Sequence, residues 1–119
     1  MEDIYNIIKT KEYFKNGYLR YLKEELRREI KRGTYIFEDE TYCSWLVKKN
    51  HIKITKLVSK NERQGKGTKI FSKFLSRYKN IKKILKVHKE NHNAIRFYEK
   101  FNFKKVKLEK DILYMECNE

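Results

Sequence analysis

The order of apolar periods along the chain predicts an α/β layer fold on a mixed sheet. Three observations carry this prediction. Segments of period two alternate with segments of helical spacing, in the order strand, helix, three strands, helix, strand, helix, two strands. Residues 34–59 read as an antiparallel meander. Strand 51–59, helix 67–79 and strand 84–88 form one β-α-β unit, whose crossover is expected to be right-handed and whose strands are expected to be parallel. With 119 residues the chain is long enough for one compact domain and too short for two, so 1–119 is read as a single domain.

The elements follow in order. Ile4 to Lys9 reads as a short strand. Leu19, Leu22, Leu26 and Ile30 recur at helical spacing, and Gly33 stands where a C-terminal cap belongs. They predict a helix over 18–32, preceded by a turn or short helix near Lys11–Phe14. Thr34–Glu38 and Thr41–Val47 flank a tight Asp39-Glu40 connection, and Lys48-Lys49-Asn50 makes a second turn. His51–Ser59 alternates for part of its length, with Ile52 and Ile54 on one face. Ile70, Phe71, Phe74, Leu75 and Tyr78 form a stripe that predicts a helix over 67–79. Ile84, Leu85 and Val87 mark a short strand over 84–88. Asn93–Phe101 reads as a helix, and Lys104–Leu108 and Ile112–Glu116 as a closing pair of strands.

Hydrophobic residues make up 39% of the chain, enough to furnish a core against 39% charged residues. The net charge is +14, and it is uneven. Residues 1–50 carry 11 Lys/Arg against 9 Asp/Glu, net +2; residues 51–119 carry 19 against 7, net +12. A basic half predicts an anionic partner, either a phosphorylated cofactor, a nucleic acid or both; a lysine-rich solvated surface is the alternative. The acidic start MEDIYN and the lack of a long apolar run argue against a signal peptide and a membrane span, so a cytoplasmic protein with no membrane partner is expected. Cys43 and Cys117 do not make a metal pattern and read as free thiols, so no metal is expected.

NERQGKGTKIF, Asn61 to Phe71, places Gly65 and Gly67 two residues apart in a chain with four glycines. The stretch joins a strand to the first turn of a helix. Such a helix end presents unpaired N–H groups and partial positive charge, and glycine lets an anionic group approach them. The physical reading is a pyrophosphate cradle of backbone amides over residues 64–69, rimmed by Lys66 and Lys69; a ligand-free glycine turn is the alternative. The P-loop pattern GxxxxGK[ST] is not met, and GxGxxG fails at its third position, where Ile70 stands.

Gln64-Gly65-Lys66-Gly67-Thr68-Lys69 resembles the Q/R-x-x-G-x-G/A motif of the GNAT superfamily of N-acetyltransferases through Gln64 and Gly67. Lys69 stands where that family usually has Gly or Ala. Val87 to Phe103, VHKENHNAIRFYEKFNF, resembles a later segment of the same family through Val87, Asn91, Ala94, Ile95, Phe97, Tyr98, Glu99, Lys100 and Phe103. Asn102 replaces its usual glycine and is the next best residue for a left-handed cap. The resemblance covers residues 34–116 and is strong over 57–103. It implies a mixed, mostly antiparallel twisted sheet with flanking helices, splayed at the central parallel strand pair.

It further implies an acetyl-CoA-dependent N-acetyltransferase acting on a primary amine by direct attack, with acetyl-CoA as co-substrate. Gln64, Gly65, Lys66, Gly67, Thr68 and Lys69 would hold the pyrophosphate. Leu57, Val58 and Ser59 would offer main-chain groups to the pantetheine arm, and Asn91 would contact that arm. Tyr98 matches the family's general acid, a phenol able to protonate a leaving thiolate. The general base is not fixed by resemblance; His51 is the first candidate by pKa, ahead of Glu38, Glu40 and Glu62. His88 and His92 flank the later motif without a role. Tyr13, Phe14, Tyr18, Tyr21 and Trp45 are candidate acceptor walls or core residues, and Glu38-Asp39-Glu40 could approach a cationic amine. The acceptor is open among small molecules, proteins and nucleic-acid-associated amines, and the oligomeric state is open between monomer and homodimer. Two rival readings stand: a catalytically silent binding module of the same fold, and a modifying protein that uses its basic half on nucleic acid.

Overall fold

The computed structural model describes residues 1–11, 19–61 and 65–119, with side chains in the middle segment described from Tyr21 onward. Its elements are α1 (Glu2–Ile8), α2 (Leu19–Arg32), β1 (Tyr35–Glu38), β2 (Thr41–Val47), β3 (Ile52–Ser59), α3 (Lys66–Arg77), β4 (Lys83–His88), α4 (His92–Lys100), β5 (Lys104–Glu109) and β6 (Ile112–Cys117). The strands form a six-stranded sheet in the order β1-β2-β3-β4-β6-β5. It is antiparallel except for β3 and β4, which pair in parallel through Ile52↔Lys83 and Lys53↔Ile84 at the start of both strands. The predicted α/β class and the parallel pair are both present. The chain forms two compact units, 1–45 with 56–77, and 46–55 with 78–119.

One expected element is of the wrong type. The strand expected over Ile4–Lys9 is part of helix α1. Its buried residues Ile4, Ile7 and Ile8 repeat at helical spacing, and Glu2 and Asp3 lie in the first turn, where negative charge favours a helix. The β-branched residues and Tyr5 carry strand propensity, but burial of one helical face overrides it.

In the first unit, Ile4, Ile8, Leu22, Leu26, Tyr42 and Val58 pack into one core. Helix α2 closes with a paired hydrogen-bond motif: Gly33 N–H donates to Ile30 O and Thr34 N–H to Glu29 O, with Gly33 at φ +71°. The β1–β2 hairpin turns on Asp39 and Glu40, both at positive φ, as a two-residue connection requires. Trp45 and Cys43 are buried, with the Trp45 ring centroid 4.8 Å from that of Phe74 on α3. The acceptor-wall role considered for Trp45 thus gives way to core packing, whereas Tyr21 is exposed. Tyr13, Phe14 and Tyr18 lie outside the described residues.

In the second unit, β4 and β6 pair along their whole lengths, from Lys83↔Cys117 to His88↔Ile112. Leu85, Val87, Leu113, Met115, Ile95 and Phe103 are buried. Strand β5 pairs with β6 through a bulge between Lys105 and Lys107, and all six of its residues are exposed. Helix α4 ends in the same motif as α2. Asn102 N–H donates to Glu99 O and Phe103 N–H to Tyr98 O, with Asn102 at φ +68°. The left-handed cap expected at Asn102 is therefore present.

Candidate active site

Residues Leu57, Val58 and Ser59 end β3, and α3 begins at Lys66. Gln64 and Glu62 lie outside the described residues. Val58 points into the core, and Ser59 Oγ lies 2.9 Å from Thr41 Oγ1. Lys69 N–H donates to Gly65 O at 3.1 Å, the first bond of the helical ladder. That leaves the N–H groups of Lys66, Gly67 and Thr68 without a partner in the ladder, as at any helix start.

The two glycines have different reasons. Gly65 sits at φ +75°, which a side chain rarely adopts, and a Cβ built there meets nothing within 4 Å. The space beside it is open. Gly67 is helical and lies outside the left-handed region. Glycine in a helix is about 1 kcal/mol less favourable than alanine, so the turn does not explain it. An exposed glycine turn, a free set of N–H groups and the adjacent ammoniums of Lys66 and Lys69 fit a diphosphate.

Acidic side chains hold part of that positive charge. The hairpin residues Glu38, Asp39 and Glu40 meet Lys73 at 2.5 Å, Lys69 at 3.5 Å and Lys60 at 3.1 Å. The three acids considered for an amine acceptor are thus each paired with a lysine of the protein. Lys69, expected on the phosphates, has its ammonium beside Asp39 and remains half exposed.

Sequence reading missed a buried polar network in the same unit. Lys56 Nζ donates to Glu25 Oε1 and Glu29 Oε2, both at 2.6 Å, and Tyr42 OH donates to Glu29 Oε1 at 2.7 Å. Lys56 and Glu29 are almost wholly buried. Burial, reinforced by the Glu29 charge, pushes the Tyr42 phenol far up, and the same two causes raise the Cys43 thiol. A signal was present: Lys56 falls in the buried register of Ile52, Ile54 and Val58, and Glu29 falls on the Leu22–Leu26 stripe. Opposite charges in two apolar stripes announce a buried pair.

In the second unit, Asn91 is the N-cap of α4, its Oδ1 accepting from Ala94 N–H at 3.3 Å. Its amide nitrogen is the group left for a ligand. Tyr98 is half-buried between aromatic rings, 5.4 Å from Phe97 and 5.8 Å from Phe103 between centroids. His88 Nδ1 accepts from Glu90 N–H, and His92 lies 3.7 Å from Glu90. His51 precedes β3 and lines a recess at that end of the strand. Ser59, where the loop begins, is eight residues further along the chain, about 26 Å at the usual rise of a strand. Among the described residues no group of three or more His, Cys, Asp or Glu side chains is placed to hold a metal ion. Among them, too, no helix is long and apolar enough to cross a membrane.

Comparison with known proteins adds three findings. The family model described as "Acetyltransferase (GNAT) family" matches residues 2–103. No curated protein matches the chain. Among solved structures, the chain is similar to the PaiA N-acetyltransferase from Thermoplasma acidophilum in complex with coenzyme A, at 21% identity and TM-score 0.78 over 99% of this chain and 89% of that one. It is similar to Ard1 from Thermoplasma volcanium, at 22% identity and TM-score 0.76 over 98% and 90%. It also resembles the ribosomal-protein-S18-alanine N-acetyltransferase from Escherichia coli, at 15% identity and TM-score 0.60 over 71% and 68%. These likenesses are of fold.

Proposed function

The chain belongs to the GNAT family of acetyltransferases, and on that premise we propose that its residues 1–119 act as one domain transferring an acetyl group from acetyl-CoA to a primary amine. The observation that carries the proposal is the start of α3, where Gly67 has no conformational reason to be glycine and Gly65 opens onto free space.

The backbone N–H groups of residues 65–68 bind the diphosphate, and the ammoniums of Lys66 and Lys69 add attraction at the rim. Gln64 belongs to the same loop. Leu57, Val58 and Ser59 offer main-chain groups to the pantetheine arm. Asn91 holds the arm through its side-chain nitrogen while its oxygen stays on the α4 cap. Acetyl-CoA supplies an activated thioester carbon. The amine nitrogen forms a bond to that carbon as the carbon–sulfur bond breaks. Tyr98 donates its phenolic proton to the departing sulfur and regains one from solvent. The nitrogen gives up its proton to water. His51 is not assigned this step, because it lies at the other end of β3 from the loop.

Calorimetric titration of acetyl-CoA tests the binding half. Micromolar binding is expected for the wild type, and Gly67→Arg is expected to abolish it. Absence of binding to the wild type would overturn the proposal. Mass-spectrometric detection of acetylated products from a panel of amines tests turnover. Tyr98→Phe is expected to lower the rate by about 100-fold or more, and His51→Gln to leave it nearly unchanged. Binding without turnover on any amine would favour the silent module instead.

A further inference from the structure

The second unit carries 14 Lys/Arg against 6 Asp/Glu, net +8. Its anion-binding groups are not spread evenly. The β2–β3 turn and the segment 78–82 that leads into β4 enclose a recess of about 400 Å³. Lys48, Lys49, Lys82 and His51 line it, and none of its lining residues is acidic. Tyr78, Val47 and Ile81 give it apolar surface, and Val47 is 59% exposed although it ends a strand. Two backbone bonds fix the walls: Lys48 N–H to His51 O and Ile52 N–H to Lys82 O, both at 2.8 Å. Lys82 is held at 3.5 Å from Glu116, and Lys48 and Lys49 project from an exposed turn.

We infer that this recess is a second binding site, for the phosphate backbone of a single-stranded nucleic acid. The reasons are chemical. The ammoniums of Lys48 and Lys49, on a recess with no acidic lining residue, attract polyanions, and each contact releases a condensed counterion; Lys82 is already answered by Glu116. An aromatic ring and exposed aliphatic side chains beside the cations suit the flat faces of unstacked bases. A second copy of this chain is an unsuitable occupant, since two surfaces of net +8 repel. A recess between α4 and β5, at about 610 Å³, is lined by Glu99 as well as by cations and by no Phe, Tyr or Trp side chain. The inference is independent of acetyl transfer.

Fluorescence anisotropy on the intact chain tests it, with a labelled single-stranded RNA of mixed sequence and roughly 20 nucleotides, longer than a typical single-strand footprint. Binding that weakens steeply with salt is expected for the wild type. Lys48→Ala with Lys49→Ala removes two contacts, so affinity at 0.1 M salt is expected to fall about 25-fold and the salt slope by about 1.4. Lys104→Ala with Lys105→Ala on β5 makes the same change in net charge and is expected to cost less than about 3-fold. Equal losses in the two double variants would reduce the effect to net charge and overturn the inference, as would absence of binding to the wild type. Photo-crosslinking of the wild type to an RNA carrying 5-iodouracil gives a readout free of mutation. Adducts at Tyr78 or His51 are expected, and adducts confined to other segments would overturn the site.

Discussion

Lys56 of the first unit is buried with carboxylate oxygens 2.6 Å away on two sides, whereas Lys48 and Lys49 of the second unit stand exposed beside a recess with no acidic lining. Both sets of charges lie next to the same strand, β3. In the first unit even exposed lysines find an acid: Lys60, Lys69 and Lys73 each meet one residue of the 38–40 hairpin. A charge balanced within the fold contributes to stability or order. A charge left unbalanced raises the field at the surface and is answered by something outside. The net charge of +14 therefore says less about function than its residue-by-residue compensation does.

The largest expected effect comes from breaking the balanced side. Lys56→Met leaves Glu29 charged and buried without its ammonium, and should destabilise by about 3–5 kcal/mol in a denaturant titration. The double variant Lys56→Met, Glu29→Met should recover most of that loss, because an apolar pair of similar volume replaces an ion pair at little net cost. Were the double variant as unstable as the single one, the network would be contributing more than charge compensation.

A smaller effect is expected at the two identical helix ends. Asn102→Ala should lower stability by about 1–2 kcal/mol, since alanine has no polar group to ease the left-handed conformation. Asn102→Gly should be close to neutral or slightly stabilising. Asn91→Ala removes the α4 cap and should cost about 1 kcal/mol, read as a lowered melting temperature. Smaller still is the response of the hairpin. Asp39→Asn should leave stability within about 1 kcal/mol, as exposed pairs contribute little. It should also strengthen acetyl-CoA binding modestly by releasing Lys69, which would show that compensation in this unit restrains its anion site.

The smallest effect is a matter of pH. A hydrogen bond from Lys107, with its charge, holds the Glu109 carboxyl below its usual range. A depressed carboxyl contributes stability above its unfolded pKa and loses it as the pH falls through the folded one. Lys107→Gln should move the Glu109 titration to higher pH, visible by NMR, without a measurable change in melting temperature near neutrality.

Much of the fold could be read from the sequence because most elements carry one clear period. The stripe Ile70, Phe71, Phe74 and the alternation of Ile52 and Ile54 each found their element. The N-terminal helix was misread because Ile4, Ile7 and Ile8 are strand formers individually and a helix face collectively, and seven residues give either period little room. In the candidate site, Gly65 and Asn102 were legible because a left-handed backbone restricts residue type. The Lys56–Glu29 pair was missed although each residue is a charge out of place in an apolar stripe, because partners so far apart in sequence do not name each other locally. The place of His51 was legible: it opens the predicted strand 51–59, at the end opposite the loop that follows Ser59.

The burial of Cys43 and Cys117 has a practical corollary. Cys43 is wholly enclosed and its thiol is pushed upward by burial and by Glu29, so little thiolate forms near neutral pH. Cys117 is shielded at the end of β6. A colorimetric disulfide reagent added to the native protein should therefore react slowly with the protein itself. In such an assay the absorbance that appears on mixing with acetyl-CoA and an amine would count the coenzyme A set free, turnover by turnover, against a nearly silent background.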